Sequence, residues 1–332
     1  MLVLGIETSC DDTAAAVLED GRKVRANLVS SQDEIHSPYG GVVPELASRQ
    51  HVRHILPIID GALKKAGVGL SEIGGIAVTR GPGLVGSLLV GLSVAKGISY
   101  RWHIPYVGVN HLEAHLLAIF LEREVSFPYL SLLASGGHTQ LYVVRDFGDY
   151  RYLGGTRDDA AGEAFDKVAK MMGLGYPGGR VIDRLAGSGN PKTIRFPRAR
   201  LKKGSYDFSF SGLKTAVWHY LKGLDEGRRK SEQADIAASF QEAVVDMLVG
   251  PTLRAARDMD VRRIVLAGGV AANSRLRQKM KQTAEAESSE VYFPSLALCT
   301  DNGAMIALAG YHSLKNGRTD DIRLNADADL TL

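Results

Sequence analysis

A two-lobed, duplicated α/β fold is the expectation for this chain, on three observations. Two apolar hairpins with polar tips recur, over residues 2–17 and 129–144. Each opens a stretch in which strand-like runs alternate with helix-like periodicity, the pattern of an α/β layer. At 332 residues the chain is long enough for two domains that each bury a core. The boundary is expected near Phe127-Pro128, with lobes at 1–127 and 128–332.

In chain order, Leu2-Val3-Leu4-Gly5-Ile6 is the first strand. Glu7-Thr8-Ser9-Cys10-Asp11-Asp12-Thr13 forms a tip rich in hydroxyls and carboxylates, and residues 14–17 return. Residues 75–79 read as a buried strand, followed by a glycine-rich turn and an amphipathic helix to about Tyr100. In the second hairpin, residues 130–134 lead into Ser135-Gly136-Gly137-His138-Thr139-Gln140, and residues 141–144 return. Helical patterns follow at 161–172 and 236–257. A strand at 263–267 ends in Gly268-Gly269-Val270-Ala271-Ala272-Asn273 and precedes a basic helix, and a last helix starts near Asp301-Asn302-Gly303.

The 45% hydrophobic and 23% charged residues exclude disordered and collagen-like classes. Cys10 and Cys299, far apart and without disulfide-like spacing, are expected to be free thiols in a reducing compartment. The first residues read as a strand and not as a signal peptide. The most apolar later run, 84–95, is shorter than the roughly 20 residues of a membrane span. A cytoplasmic protein with no membrane segment is therefore expected. A net charge of +3 does not by itself require a polyanionic partner.

Residues four apart share a helix face, so His111 and His115 in His111-Leu112-Glu113-Ala114-His115 can hold one cation. A pair of helix-surface histidines is the other reading. Glu113 lies two residues from each, roughly 200° round the helix. It cannot be the general base of an H-E-x-x-H protease, in which the glutamate directly follows the first histidine. Asp301, ahead of Asn302-Gly303 and an apolar run, reads by itself as a helix N-cap. With the two histidines it would complete a mononuclear site with open positions, as non-haem iron or catalytic zinc requires.

Gly81-Pro82-Gly83-Leu84-Val85-Gly86 matches G-x-G-x-x-G, but no Asp or Glu occurs between Gly81 and Leu112, so the ribose-binding acid of a dinucleotide fold is missing. A tight turn packed against a neighbour is the alternative. The glycines after residues 134 and 267 would let a ligand approach the backbone, whose amides can cradle phosphate. Asp166 and Asp183 flank Tyr176-Pro177-Gly178-Gly179-Arg180 and suit ribose hydroxyls or an ordinary helix surface equally. Lys192, Arg195, Arg198, Arg200, Lys202 and Lys203 make either a grip for a phosphate backbone or a solvated loop.

Taken together, these loops resemble the actin, sugar-kinase and chaperone ATPase superfold, in which phosphate hairpins from both lobes line a cleft between them. More narrowly, Gly5-Ile6-Glu7-Thr8-Ser9-Cys10-Asp11-Asp12-Thr13, Asn110-His111-Leu112-Glu113-Ala114-His115, Ser135-Gly136-Gly137-His138-Thr139, Phe208-Ser209-Phe210-Ser211-Gly212-Leu213-Lys214 and Gly268-Gly269-Val270-Ala271-Ala272-Asn273 resemble, in order and over the whole chain, the bacterial form of the TsaD family of tRNA N6-adenosine threonylcarbamoyltransferases.

The resemblance implies transfer of threonylcarbamoyl from threonylcarbamoyl-AMP to N6 of adenosine 37, 3′ of the anticodon, in tRNAs reading codons that begin with A. It implies one divalent metal per subunit, iron(II) ahead of zinc, on His111, His115 and Asp301. The adenylate is implied on Leu133, Ala134, Ser135, Gly136, Gly137, Asp166, Gly179, Asp183 and Asn273. Implied partners are the tRNA anticodon arm, a TsaB-like paralogue without the metal site and a TsaE-like small ATPase, without which the chain alone would show little activity. Asp11 is the candidate general base. Two rivals are a metalloprotease, resting on the histidine pair alone, and a kinase or ATPase module of the same superfold, which would not need the histidines.

Overall fold

A computed structural model describes residues 1–199, 201–202 and 204–332. The chain forms two compact units, Met1–Glu124 with Leu296–Leu332, and Val125–Ser295. The first contains β1 (Leu2–Glu7), β2 (Asp12–Glu19), β3 (Lys23–Ser31), α1 (Asp33–His36), α2 (Pro44–Ala66), β4 (Ile73–Gly81), α3 (Val85–Trp102), β5 (Tyr106–Asn110) and α4 (His111–Leu117). The second contains β6 (Tyr129–Ala134), β7 (Thr139–Asp146), β8 (Asp149–Gly155), α5 (Ala161–Met171), α6 (Gly178–Ala186), α7 (Ser211–Lys222), α8 (Glu226–Ser231), α9 (Gln233–Asp258), β9 (Arg263–Ala267), α10 (Ser274–Ala286) and β10 (Glu290–Tyr292). The chain then returns to the first unit with α11 (Leu296–Cys299) and α12 (Gly303–Lys315).

The expected duplication is visible in the strand order. One sheet runs β3-β2-β1-β4-β5 and the other β10-β9-β6-β7-β8. In each, an antiparallel meander of three strands is extended by two parallel strands beside its first member. Both expected hairpins, the helices and the strand at 263–267 are present with ends shifted by a few residues.

Side-chain alternation along β1 decides what covers each face of the first sheet. Leu4 and Ile6 join Ile55, Ile59, Leu92 and Ala95 of α2 and α3 in one buried cluster. Gly5 faces the other way, where a Cβ would meet Gly303 O at 2.1 Å and Ala307 Cβ at 2.8 Å. Helix α12 lies this close because Gly303, Ala304, Ala307 and Gly310 give it almost no side-chain thickness. Its residues from Gly303 to Gly310 are all buried.

That packing corrects the expected lobe of residues 128–332. The boundary falls between Glu124 and Val125, near the expected position, but residues 296–332 belong to the first unit. A helix as apolar as α12 must bury its surface, and the small residues of β1, β2 and β4 leave the groove that accepts it. After α12 the chain runs along β5, the edge strand. Asp320 N donates to Tyr106 O at 2.8 Å, and Gly108 N donates to Asp320 Oδ2 at 2.8 Å. An otherwise open sheet edge is thereby covered.

The glycines at 81–86 serve close packing within the protein. A Cβ on Gly81 would lie 1.9 Å from Asp327 O, one on Gly83 2.4 Å from Ser9 O, and one on Gly86 2.5 Å from Ser48 Oγ. Among the described residues no helix is long and apolar enough to cross a membrane. Neither Cys10 nor Cys299 is in a disulfide.

Candidate metal centre and substrate loops

His111 is the first residue of α4, which begins where β5 ends. Asn110 caps the helix, its Oδ1 accepting from Leu112 N at 2.8 Å and Glu113 N at 3.4 Å. One helical turn brings His115 beneath His111, with ring centroids 4.7 Å apart and planes at 85°. Both histidines are buried, so the surface-histidine reading is set aside. The N-cap of α12 is Asn302, whose Oδ1 accepts from Met305 N at 3.0 Å. Asp301 instead turns to the histidines, with Oδ1 3.0 Å from His115 Nε2 and 3.6 Å from His111 Nε2.

Two imidazole nitrogens thus converge on one carboxylate oxygen, and one ligand atom from each of the three residues lies within 4.8 Å of the others. A nitrogen, nitrogen and oxygen donor set of this kind fits iron(II) or zinc. The support behind it was not anticipated from the sequence. Glu7, fully buried in β1, accepts from His111 Nδ1 at 3.0 Å and from Thr79 Oγ1 at 2.7 Å, and the backbone amide of Ser9 donates to its other oxygen. Ser9 Oγ lies 3.2 Å from the same His111 nitrogen. A carboxylate on Nδ1 fixes the tautomer that leaves Nε2 for a cation. A glutamate inside an otherwise apolar strand was the available signal, because a buried charge requires a partner.

Charges around this cluster are perturbed. Burial disfavours ionised His111, but the carboxylates of Glu7 and Asp301 outweigh it and push its pKa up to about 9. Burial likewise opposes ionisation of Glu7, and His111 overcomes it and holds its pKa below the usual value. At the tip of the β1–β2 hairpin, burial raises Asp11, whose pKa Asp301 also pushes up. Burial with the carboxylates of Asp301 and Asp11 pushes Asp12 up to about 8. The excess of negative charge is one that a divalent cation would neutralise. His51, fully buried, holds the tip from behind. Burial lowers its pKa, its Nε2 lies 2.9 Å from Cys10 O, and its Nδ1 lies 2.8 Å from Thr13 Oγ1.

The other expected site residues lie in the second unit. Leu133 and Ala134 end β6 and are buried. Ser135, Gly136 and Gly137 form the turn to β7, closed by Ser135 N donating to His138 O at 2.7 Å. Nothing lies within 4 Å of a Cβ built on Gly136, Gly137 or Gly269, so these loops present bare backbone. Asp166 on α5 accepts from Gly178 N at 2.8 Å, next to Gly179 at the start of α6. Asp183 on α6 accepts from Ser274 N at 3.1 Å and Ser274 Oγ at 2.7 Å. Asn273 caps α10 through Leu276 N, and its Nδ2 donates to Gln241 Oε1 at 2.8 Å. Strand β6 also pairs with β9, which leads into the Gly268–Asn273 turn. Hydrogen bonds and strand pairing therefore chain these positions into one cluster. The Phe208–Lys214 motif is bound to Asp158, which accepts from Phe210 N at 2.7 Å and Ser211 Oγ at 2.8 Å.

The basic stretch is partly consumed inside the protein. Arg198 pairs with Asp246 at 2.7 Å, Arg275 with Glu242 at 2.6 Å and Lys279 with Glu242 at 2.6 Å. Among the described residues Lys192, Arg195 and Lys202 have no ion-pair partner. Arg200 and Lys203 lie outside the described residues.

The family model for TsaD, tRNA N6-adenosine threonylcarbamoyltransferase, matches residues 23–308. The chain belongs to this family. The enzyme of that name from Syntrophotalea carbinolica is 56% identical over 326 residues, covering 98% of this chain and 95% of the relative. The one from Clostridioides difficile is 53% identical over 336 residues, covering 100% and 98%. TsaD membership makes the chain a transferase of tRNA modification. Among solved structures, component A of Acidaminococcus fermentans (R)-2-hydroxyglutaryl-CoA dehydratase aligns at TM-score 0.56 and 17% identity over 95% of this chain and 99% of its own. Full-length HypF, in a phosphate- and nucleotide-bound form, aligns at TM-score 0.63 and 14% identity over 95% of this chain and 46% of its own. These two likenesses show the actin-like two-lobed α/β fold of this TsaD member and nothing further.

Proposed function

We propose that this TsaD member transfers threonylcarbamoyl from threonylcarbamoyl-AMP to N6 of adenosine 37 in tRNAs reading codons that begin with A, with one divalent metal held by His111, His115 and Asp301. The observation that carries the reading is the convergence of both Nε2 atoms on Asp301 behind a Glu7-bound His111, in a chain of this family. A Lewis acid there would polarise the carbamoyl oxygen of the donor. Attack by the amine forms a C–N bond, breaks the C–O bond of the mixed anhydride and releases AMP, so no serine or cysteine nucleophile is needed. Asp11 is the candidate acceptor for the amine proton, its raised pKa suiting a base.

Of Leu133, Ala134, Ser135, Gly136 and Gly137, the last two carry the bare backbone that suits the adenylate phosphate, and the first three position it. Asp166, Gly179, Asp183 and Asn273 stand beside it as the ribose and adenine side of the site, and Asp183 would exchange its Ser274 contact for a sugar hydroxyl. Among the described residues of the basic stretch, Lys192, Arg195 and Lys202 have no ion pair and are available to the anticodon arm. The base must be unstacked for its N6 to react, which a single-stranded loop permits. Iron(II) is favoured over zinc, and the enzyme is read as cytoplasmic. Transfer of labelled threonylcarbamoyl from pre-made adenylate to a tRNA with adenosine 37, with helper proteins present, tests the reading. Absence of label, with the helpers active on another member of the family, would return the chain to the kinase or ATPase-module alternative.

A TsaB-like paralogue and a TsaE-like ATPase are the proposed helpers. On α2 and α3, which pack together, Val52, Leu56, Val85 and Leu89 form two i,i+4 pairs exposed by 43% or more. A same-fold partner would cover such an apolar patch. Val52→Asp with Leu56→Asp is expected to weaken binding of the TsaB-like paralogue at least about tenfold in titration calorimetry, without lowering Tm, since both side chains already face solvent.

Metal binding should depend on pH in a stated direction. With its pKa at about 9, His111 carries a proton at pH 7 that a metal must displace, so apparent affinity should rise by up to about tenfold per pH unit from 6 to 9. The metal-free chain should change in the opposite sense. The stability that protonated His111 contributes is fully present below its ordinary 6.5 and is lost as pH rises through about 9. Competition titration against a chelator and thermal melts across this range check both.

A further inference from the structure

We infer that the C-terminal segment 327–332 is a strap that holds the metal helix in place, and that Asn110 is the positioning residue through which it acts. The inference rests on the metal reading above. Asn110 uses both ends of its amide. Its Oδ1 caps α4 through Leu112 N and Glu113 N, while its Nδ2 donates to Thr331 O at 3.1 Å. A helix cap needs only the acceptor. The second bond ties the residue preceding His111 to a segment 221 residues away in the chain.

The strap also reaches the other side of the centre. Asp327 N donates to Arg80 O at 2.9 Å, and Gly83 N donates to Ala328 O at 3.1 Å. Leu84 N, one residue on, donates to Ser9 O at 2.8 Å, and the Ser9 side chain and amide contact His111 and Glu7 respectively. Gly81 leaves room for this path, because a Cβ there would lie 1.9 Å from Asp327 O. The same six residues thus brace the cap of α4 and the loop that carries Ser9. Neither touches the ligand atoms, so the effect must pass through the orientation of His111, whose groups around Nδ1 fix where Nε2 points.

Three variants separate a strap from a cap. Asn110→Ser keeps a side-chain oxygen for the N-cap, adds no charge and is too short to reach Thr331 O. Deletion of residues 327–332 removes the strap and leaves Asn110. Asn110→Ala removes both contacts. Cobalt(II), whose absorption spectrum reports coordination geometry, is titrated into each metal-free protein, and Tm is measured in parallel. Asn110→Ser and the deletion are each expected to weaken cobalt binding by about tenfold to a hundredfold and to alter the spectrum, with Tm changed by no more than a few degrees. If Asn110→Ala weakens binding while Asn110→Ser and the deletion match wild type, Asn110 is only a cap and the strap is overturned. If all three match wild type, neither bond matters to the centre and the inference fails while the metal reading stands. If wild type itself binds no cobalt, iron or zinc, the metal reading fails and the inference with it.

Discussion

Asp301→Asn is expected to abolish metal retention and to slow threonylcarbamoyl transfer at least about a thousandfold, while the metal-free protein melts within a few degrees of the wild-type temperature. The first part follows from the loss of one of three ligands and of a Lewis acid that contributes several kcal/mol, at about 1.4 kcal/mol per tenfold in rate. The second follows from the charges nearby. The carboxylate of Asp301 is among the causes that raise Asp11 and Asp12, and it also supports protonated His111, so a neutral amide of the same shape removes a repulsion and an attraction together in the unloaded site. Metal content by elemental analysis, transfer to tRNA and a melting curve measure the three outcomes. A variant that keeps its metal and its activity would remove Asp301 from the centre.

His111→Ala, the more obvious variant, should behave differently. It also loses metal and transfer, but it deprives the fully buried Glu7 carboxylate of its only charged hydrogen-bond partner among the described residues, the missing ring. Thr79 and the Ser9 amide still donate to Glu7, but removing the charged partner of a buried pair typically costs about 3–5 kcal/mol, so loss of activity there mixes chemistry with unfolding. Double replacement by Glu7→Gln and His111→Ala should recover part of the stability and none of the metal.

The second large effect lies in packing. Gly5→Val is expected to destabilise the protein by more than about 3 kcal/mol or to prevent folding, since its Cβ would meet Gly303 O at 2.1 Å and Ala307 N at 2.7 Å. Both contacts are backbone, so no side chain can rotate away and α12 must leave the sheet. Because Asp301 lies two residues before α12, metal affinity should fall with it. Chemical denaturation and metal titration of the same sample would show the two losses together.

Much of this was legible in the residues themselves. The paired hairpins are strong period-2 patterns around polar tips, and the structure repeats them in both sheets. His111 and His115 could be paired by spacing alone, because one helical turn is a local rule. Asp301 could not, since its meeting with them depends on a contact 186 residues away. Locally, its neighbourhood reads as a helix cap, a role that Asn302 takes instead. Glu7, Thr79 and His51 were missed for the same reason, each acting through residues distant in sequence. The placement of residues 296–332 was missed because nothing in an apolar helix states which sheet it will cover. The six cations of 192–203 illustrate the opposite failure. Charge can be counted in a sequence, but Arg198 is paired with Asp246 and is not free for a phosphate.

The late return of the chain to its first unit has a consequence for synthesis. Residues 125–295 are contiguous and can close as soon as they leave the ribosome. The first 124 residues emerge earlier but must wait, with one face of their sheet uncovered, until α12 arrives. The nascent protein therefore holds both histidines long before it holds Asp301, and the three candidate ligands come together only after residue 301 has been made. Metal capture would thus report that the chain has been made at least as far as Asp301.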